Sequence, residues 1–281
     1  MSLGEYAGRM SDTVEPVAIA VAQFAPGEDK AANLEEVRNL ATTAASRGAK
    51  LVVFPEYSSH FTPSLGAHSV AAAETFDGPF VAGLEAIAKV LDIHIVAGMV
   101  ELCDEDNDRF FNTLVALDPH GSLVAKYRKL HLYDAFGQKE SDWVAPGPIE
   151  EPETFEFGDF RVGLQTCYDI RFPEVTRRLV DAGADVVVLP SEWVRGPLKE
   201  QHWRTLVTAR AIENTVYFAA ADHGPPIGAG NSMIVDPMGV ELATIGDEWG
   251  VALAWISAER IANVRAVNPA LGIRRFGTHP L

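Results

Sequence analysis

Three residues far apart in the sequence carry side chains that together could cleave a carbon–nitrogen bond: Glu56, Lys129 and Cys167. A free thiol has a pKa of about 8.5, so at neutral pH Cys167 needs a base before it can attack a carbonyl. Glu56 could take that proton and later hand it to a departing amine. Attack builds negative charge on oxygen. A positive Lys129, with a backbone N–H near Tyr168, could stabilise that charge, commonly the largest single contribution to such catalysis. Loss of ammonia would leave a thioester on Cys167, which water activated by Glu56 would release as the acid. No step calls for a metal or an organic cofactor, and none is expected. Each residue alone has a plainer reading: Cys167 as a small buried hydrophobe, Glu56 as a helix cap or solvated acid, Lys129 as a surface lysine.

What favours the chemical reading is position. Glu56 follows the apolar run of VVFPE, Lys129 follows a strand ending at Tyr127, and Cys167 follows a strand over Phe160–Thr166. Carboxyl ends of strands are where ligands and catalytic groups collect in α/β proteins. Pro173, at the first turn of a helix over 173–182, leaves Cys167 in a strand-to-helix connection. Apolar periodicity predicts strands over 17–24, 51–54, 93–100, 112–117 and 123–127, with helices over 30–47 and 79–91. The order then restarts: strands over 160–166, 186–189 (closed by Pro190) and 215–221, helices over 173–182 and 198–214, and a hairpin over 232–245 turning at Asp236-Pro-Met-Gly239. A last strand covers 251–256. Continuous apolar strands alternating with helices, repeated twice, imply two sheets packed face to face with helices outside.

The 281 residues are 47% hydrophobic and 22% charged, enough for a large core. A net charge of −16 and a pI near 4.9 argue against a nucleic-acid or anionic-membrane surface. No apolar run reaches the roughly 18 residues of a spanning helix. Residues 1–15 read as a flexible leader without signal-peptide pattern. Cys103 and Cys167 stand 64 positions apart with no His or Cys near either, so neither a zinc motif nor a disulfide framework is supported. A cytoplasmic enzyme is expected.

VFPE, YRKLHLYD and CYDIRFPE, in that order, resemble the signature blocks of the nitrilase (carbon–nitrogen hydrolase) superfamily, and the match covers nearly the whole chain. The resemblance implies a four-layer αββα sandwich of two mixed β-sheets, in a single domain over 16–265. It implies Glu56, Lys129 and Cys167 as the catalytic triad, and Glu140 as a second glutamate that orients the lysine and the substrate. CYDIRFPE, His202-Trp203 and the RAIEN run at 210–214 are most similar to the amidases that act on deaminated glutathione or on ω-amides of 2-oxo dicarboxylic acids. Tyr168, Glu192, Trp193 and His202 are then expected beside a small-molecule amide substrate. Glu192 departs from the pattern, since relatives commonly carry a small residue there. An acid facing the pocket would repel a substrate carboxylate unless Arg195 neutralises it.

Arg171, Glu174, Arg210 and Glu213 are expected in structural or interface ion pairs. His60, His68, His131 and His202 could in principle partner Cys167, but Lys129 is better placed than His131, which reads as structural. Gly228-Ala-Gly230 lacks the third glycine and the following helix of a dinucleotide site and reads as a loop into a strand. Nitrile or N-carbamoyl hydrolysis would use the same triad, and a non-catalytic scaffold would need none of it. Relatives pair through helices bordering the site, so a homodimer or higher homo-oligomer is expected, with residues 266–281 as a tail docked on the partner subunit.

Overall fold

Alternate side chains of the buried strands point to different layers, and this alternation builds the molecule. The computed structural model describes residues 15–280; the expected leader lies almost wholly outside the described residues. The chain runs β1 (Val17–Gln23), α1 (Lys30–Ser46), β2 (Ala49–Val53), α2 (Ala67–Ala71), α3 (Pro79–Leu91), β3 (His94–Leu102), β4 (Phe110–Leu117) and β5 (Leu123–Arg128). It continues through β6 (Thr154–Phe157), β7 (Phe160–Leu164), α4 (Pro173–Asp181), β8 (Val186–Ser191), α5 (Lys199–Asn214), β9 (Tyr217–Asp222), β10 (Met233–Val235), β11 (Glu241–Thr244), β12 (Gly250–Ile256) and α6 (Ala258–Val267).

Two six-stranded mixed sheets form, ordered β12-β1-β2-β3-β4-β5 and β11-β10-β9-β8-β7-β6. Each holds three parallel strands, β1-β2-β3 and β7-β8-β9, flanked by antiparallel ones. In β1, Ile19 and Val21 enter the core between the sheets, against residues such as Val186, Val188 and Ala219. Ala20 and Ala22 face the other way, onto Val37 and Leu40 of α1 and Leu84 of α3. The second sheet repeats this: Val187, Leu189 and Phe218 pack against Leu179 of α4 and Trp203 and Val207 of α5. Helices, sheet, sheet, helices: the expected αββα sandwich is present. Side chains alternating at period 2 on strands and at 3.6 on helices are what make the layers separable in sequence.

Four local features differ from the expectation. Strand β8 runs through Pro190 rather than stopping there, because its partner β7 ends its pairing at Leu164↔Val188, so the missing N–H lies beyond that ladder. Strand β6, only four residues long, has too few positions to show a period. Helix α2, of five residues, is likewise too short to show one. Helix α6, capped by Ser257, crosses the expected domain end and lays Ile261 and Val264 into the core. Irregular chain therefore begins at Asn268. Part of it lies on its own subunit: Leu271 packs against the second helical layer and Arg274 pairs with Asp181 of α4.

Candidate active site

The end of β2 sets the first functional side chain. Beyond Val53, the chain turns through Phe54, Pro55 and Glu56 directly over Gly98 of β3. A Cβ on Gly98 would lie 2.5 Å from the Tyr57 nitrogen and 2.7 Å from the Glu56 Cα, so only glycine lets the two segments cross. Gly98 N donates to the Pro55 carbonyl and Ser59 N to the Gly98 carbonyl, which pins the crossing. Tyr57 adopts φ +56° in the same turn.

Lys129 is the first residue past β5. Its Nζ is 2.9 Å from Glu56 Oε1 and 2.9 Å from Glu140 Oε2, all three side chains being at least 94% buried. Glu140 is brought there by a single 3-10 turn over Glu140–Asp142. Its carboxylate also accepts from the Tyr57 hydroxyl at 2.7 Å and from the Tyr133 backbone N–H. Asn112 of β4 completes the group, its Nδ2 donating to Glu56 Oε1 at 2.6 Å and to Glu140 Oε1 at 3.2 Å.

Cys167 opens a 3-10 turn over Cys167–Arg171 with φ +45°, a left-handed conformation that strains a non-glycine residue. Its Sγ lies 3.4 Å from the Glu192 carbonyl, and the Glu192 N–H donates to Glu56 Oε2 at 2.6 Å. One residue past β8, Glu192 therefore ties the thiol's neighbourhood to the acid. A cleft of about 520 Å³ is lined by Glu56, Lys129, Glu140, Cys167 and Glu192 together.

Electrostatics divides the two glutamates. Burial pushes Glu56 above its ordinary carboxyl range, with Lys129 pulling the other way. Burial acts on Glu140 too, but Lys129 and the donors from Tyr133 and Tyr57 hold it below that range. Burial alone would deprotonate Lys129, yet Glu140 and Glu56 keep it well above the usual lysine value. Burial and then Glu56 push the Cys167 thiol far up. The resting site therefore holds a thiol, a charged ammonium, one firmly ionised carboxylate, and a second carboxylate poised to take a proton.

Of the residues expected beside the substrate, Glu192 lines the cleft. Trp193, next to it in extended chain, points the opposite way, as successive side chains must. It packs on Trp203 of α5 and donates Nε1–H to the Lys199 carbonyl. His202, also on α5, lies near Arg171 behind the cleft wall. Trp193 and His202 are thus part of the support rather than the lining. Tyr168 packs edge-on against Tyr133, a lining residue. Arg195 does not neutralise Glu192: it turns outward to Glu200. Arg210 pairs with Glu213 as expected, whereas Arg171 lies over the Trp193 ring at 4.8 Å and makes no ion pair with Glu174. His131 stacks on Phe172 and bonds Asp169, a structural position. Gly228 serves close packing, since a Cβ there would meet the His223 carbonyl at 2.1 Å.

Tyr57, Asp169 and His223 carry no signal in the sequence; Asn112, a polar residue inside a largely apolar strand, is the one of the four that does. His223 donates Nε2–H to the Glu56 carbonyl at 2.6 Å and is buried enough that its pKa falls to about 4. Among the described residues no helix is long and apolar enough to cross a membrane, and no group of three His, Cys, Asp or Glu could hold a metal ion.

Two six-stranded sheets in four layers, with this cluster at the strand ends, define the carbon–nitrogen hydrolases. The family's sequence model matches residues 18–266, and the chain belongs to that family. It is 38% identical over 264 residues to a deaminated glutathione amidase of Escherichia coli O157:H7, covering 92% of this chain and 97% of that one. It is 30% identical to the human omega-amidase NIT2, over 92% and 94% of the two chains. Among solved structures it superposes on an amidase from Nesterenkonia sp. AN1 with a TM-score of 0.76 at 27% identity, over 93% and 94% of the chains; that amidase was trapped with the acetamide moiety of fluoroacetamide on its active-site cysteine. The protein is accordingly a hydrolase of carbon–nitrogen bonds.

Proposed function

We propose that the chain is an amidase that converts a small amide to its acid and ammonia through a thioester on Cys167. The observation that carries this reading is the shared ammonium: Lys129 Nζ sits between Glu56 and Glu140 in the cleft that Cys167 lines. Glu56 acts as general base. Its raised pKa makes it a better proton acceptor than an ordinary carboxylate, and the thiol it must activate is protonated at rest. Lys129 and the Tyr168 backbone N–H stabilise the oxyanion. Glu140 keeps Lys129 charged and aimed. After ammonia leaves with the proton held by Glu56, the same carboxylate activates the water that frees the acid.

Nitrile and N-carbamoyl substrates would meet the same groups. Ammonia release without carbon dioxide, from an amide, separates the readings. The decisive test is intact mass after exposure to small amides: an adduct on Cys167 with the mass of the acyl group, the amide less ammonia, that is absent in Cys167→Ala supports the thioester. No adduct and no ammonia with any amide, nitrile or carbamoyl compound would point to a scaffold. A thiol that must stay reduced suits the cytoplasm. Exposed apolar side chains support a homodimer: Ile212 on α5, and Ile273 and Phe276 on the C-terminal segment, the last 90% exposed. A partner subunit would cover them.

A further inference from the structure

The position of Glu192 beside the reacting groups is well defined. Its backbone is clamped on both sides, N–H to Glu56 and carbonyl to the Cys167 thiol, so the side chain projects from a fixed point beside the reacting sulfur. The residue lines the cleft, yet its Oε1 is buried with no hydrogen-bond partner among the described residues. A buried polar atom without a partner is costly, so its place is explained if a ligand supplies the missing bond.

The charge around it decides what that ligand is. The lining holds four acids (Glu56, Glu140, Asp142 and Glu192) against two lysines. Lys129 is already shared by Glu56 and Glu140, and Lys139 is paired with Asp142. Of the cations outside the lining, Arg195 is paired with Glu200, while Lys199 donates to the Tyr133 hydroxyl and Arg171 lies over the Trp193 ring. No cation among the lining residues is left unpaired for a substrate carboxylate entering here.

We infer that Glu192 is a specificity-determining residue, recognising amides whose acyl chain carries an amine or hydroxyl donor and rejecting those that carry a carboxylate. This rests on the amidase reading of the same cleft. Burial and the neighbouring Glu56 push the Glu192 carboxyl well up, as befits an acid waiting for a partner. An incoming ammonium would pair with its ionised form, and a hydroxyl would bond the neutral one.

The test uses four amides of equal length: butyramide, 4-hydroxybutyramide, 4-aminobutyramide and succinamate. Binding is measured by calorimetry on Cys167→Ala, and ammonia release on the wild type. The two donor-bearing amides should bind Cys167→Ala at least about tenfold more tightly than succinamate, or roughly 1.4 kcal/mol. Adding Glu192→Ala should erase that preference. Glu192→Gln, of the same shape, should keep it for the hydroxyl amide and lose it for the amino amide. Succinamate binding as well as the donor-bearing amides, or a preference that survives Glu192→Ala, overturns the inference. If the expected binding pattern appears while the wild type releases no ammonia, the amidase reading fails and the recognition stands.

Discussion

The carboxylate of Asp169, two residues after Cys167, receives the backbone N–H of His131, two residues after Lys129, at 3.1 Å and pairs with its Nδ1 at 2.8 Å. The Tyr127 hydroxyl, two residues before Lys129, donates to the other oxygen of Asp169 at 2.7 Å. One fully buried acid thus locks the turn that bears the thiol to both sides of the lysine, across the two sheets. Asp169→Asn keeps the shape but weakens these charge-assisted bonds. An ångström of slack between Cys167 and Lys129 should lower kcat about 100-fold, with a loss of about 2 kcal/mol in stability. Steady-state kinetics with urea unfolding checks this, and an unchanged kcat would refute the locking role.

The opposed shifts of the two glutamates predict the acid limb of the pH–rate profile. Activity should rise as Glu56 loses its proton, with a midpoint above 4.5 because burial raises it. The hydrogen bond from Asn112 favours the charged form, so Asn112→Ala should move that midpoint further up. No alkaline loss from Lys129 is expected below pH 10, since its ammonium is held well above the ordinary value. A limb that Asn112→Ala leaves in place would remove Glu56 as the group that titrates.

His223 links pH to stability. Its pKa is about 4 when folded, against 6.5 for the free side chain. The folded state therefore favours the neutral ring. Its contribution is complete above pH 6.5 and is lost as pH falls from 6.5 to 4, by roughly 3 kcal/mol in all. His223→Gln can still donate to the Glu56 carbonyl but cannot take the proton. Its unfolding midpoint in urea should fall less than that of the wild type between pH 7 and pH 4.5. Equal losses in the two proteins would rule the histidine out.

Gly98 makes the crossing beneath Glu56 possible. Gly98→Ala places a methyl against the Tyr57 and Glu56 backbone, so the segment must shift. Stability should fall by about 1–3 kcal/mol, as for other overpacked sites. The displacement of Glu56 should lower kcat about 100-fold or more. A folded, fully active variant in circular dichroism and ammonia assays would show that the close approach has no consequence for the chemistry.

Much of the molecule was legible from residues alone. Val17–Gln23 and Pro79–Leu91 announce a buried strand and a helix because burial on both faces and a 3.6-residue stripe are local patterns. Pro190 misled, since whether a proline ends a strand depends on which neighbour pairs with it. Helix α6 was missed because its apolar stripe is weak, and its burial is decided by the sheets it meets.

The spacing of Glu56, Lys129 and Cys167 past three strand ends was visible in one dimension, because strand ends are a local property of the chain. Their sharing of one cleft was not, nor were Asn112 between the two glutamates, His223 under Glu56, and which of Glu192 and Trp193 faces the cleft. Asn112 and His223 stand 56 and 167 residues from Glu56 along the chain and meet it only in the fold. Hydrogen bonds and charge shifts act through distance in space, and only the tertiary fold sets that distance.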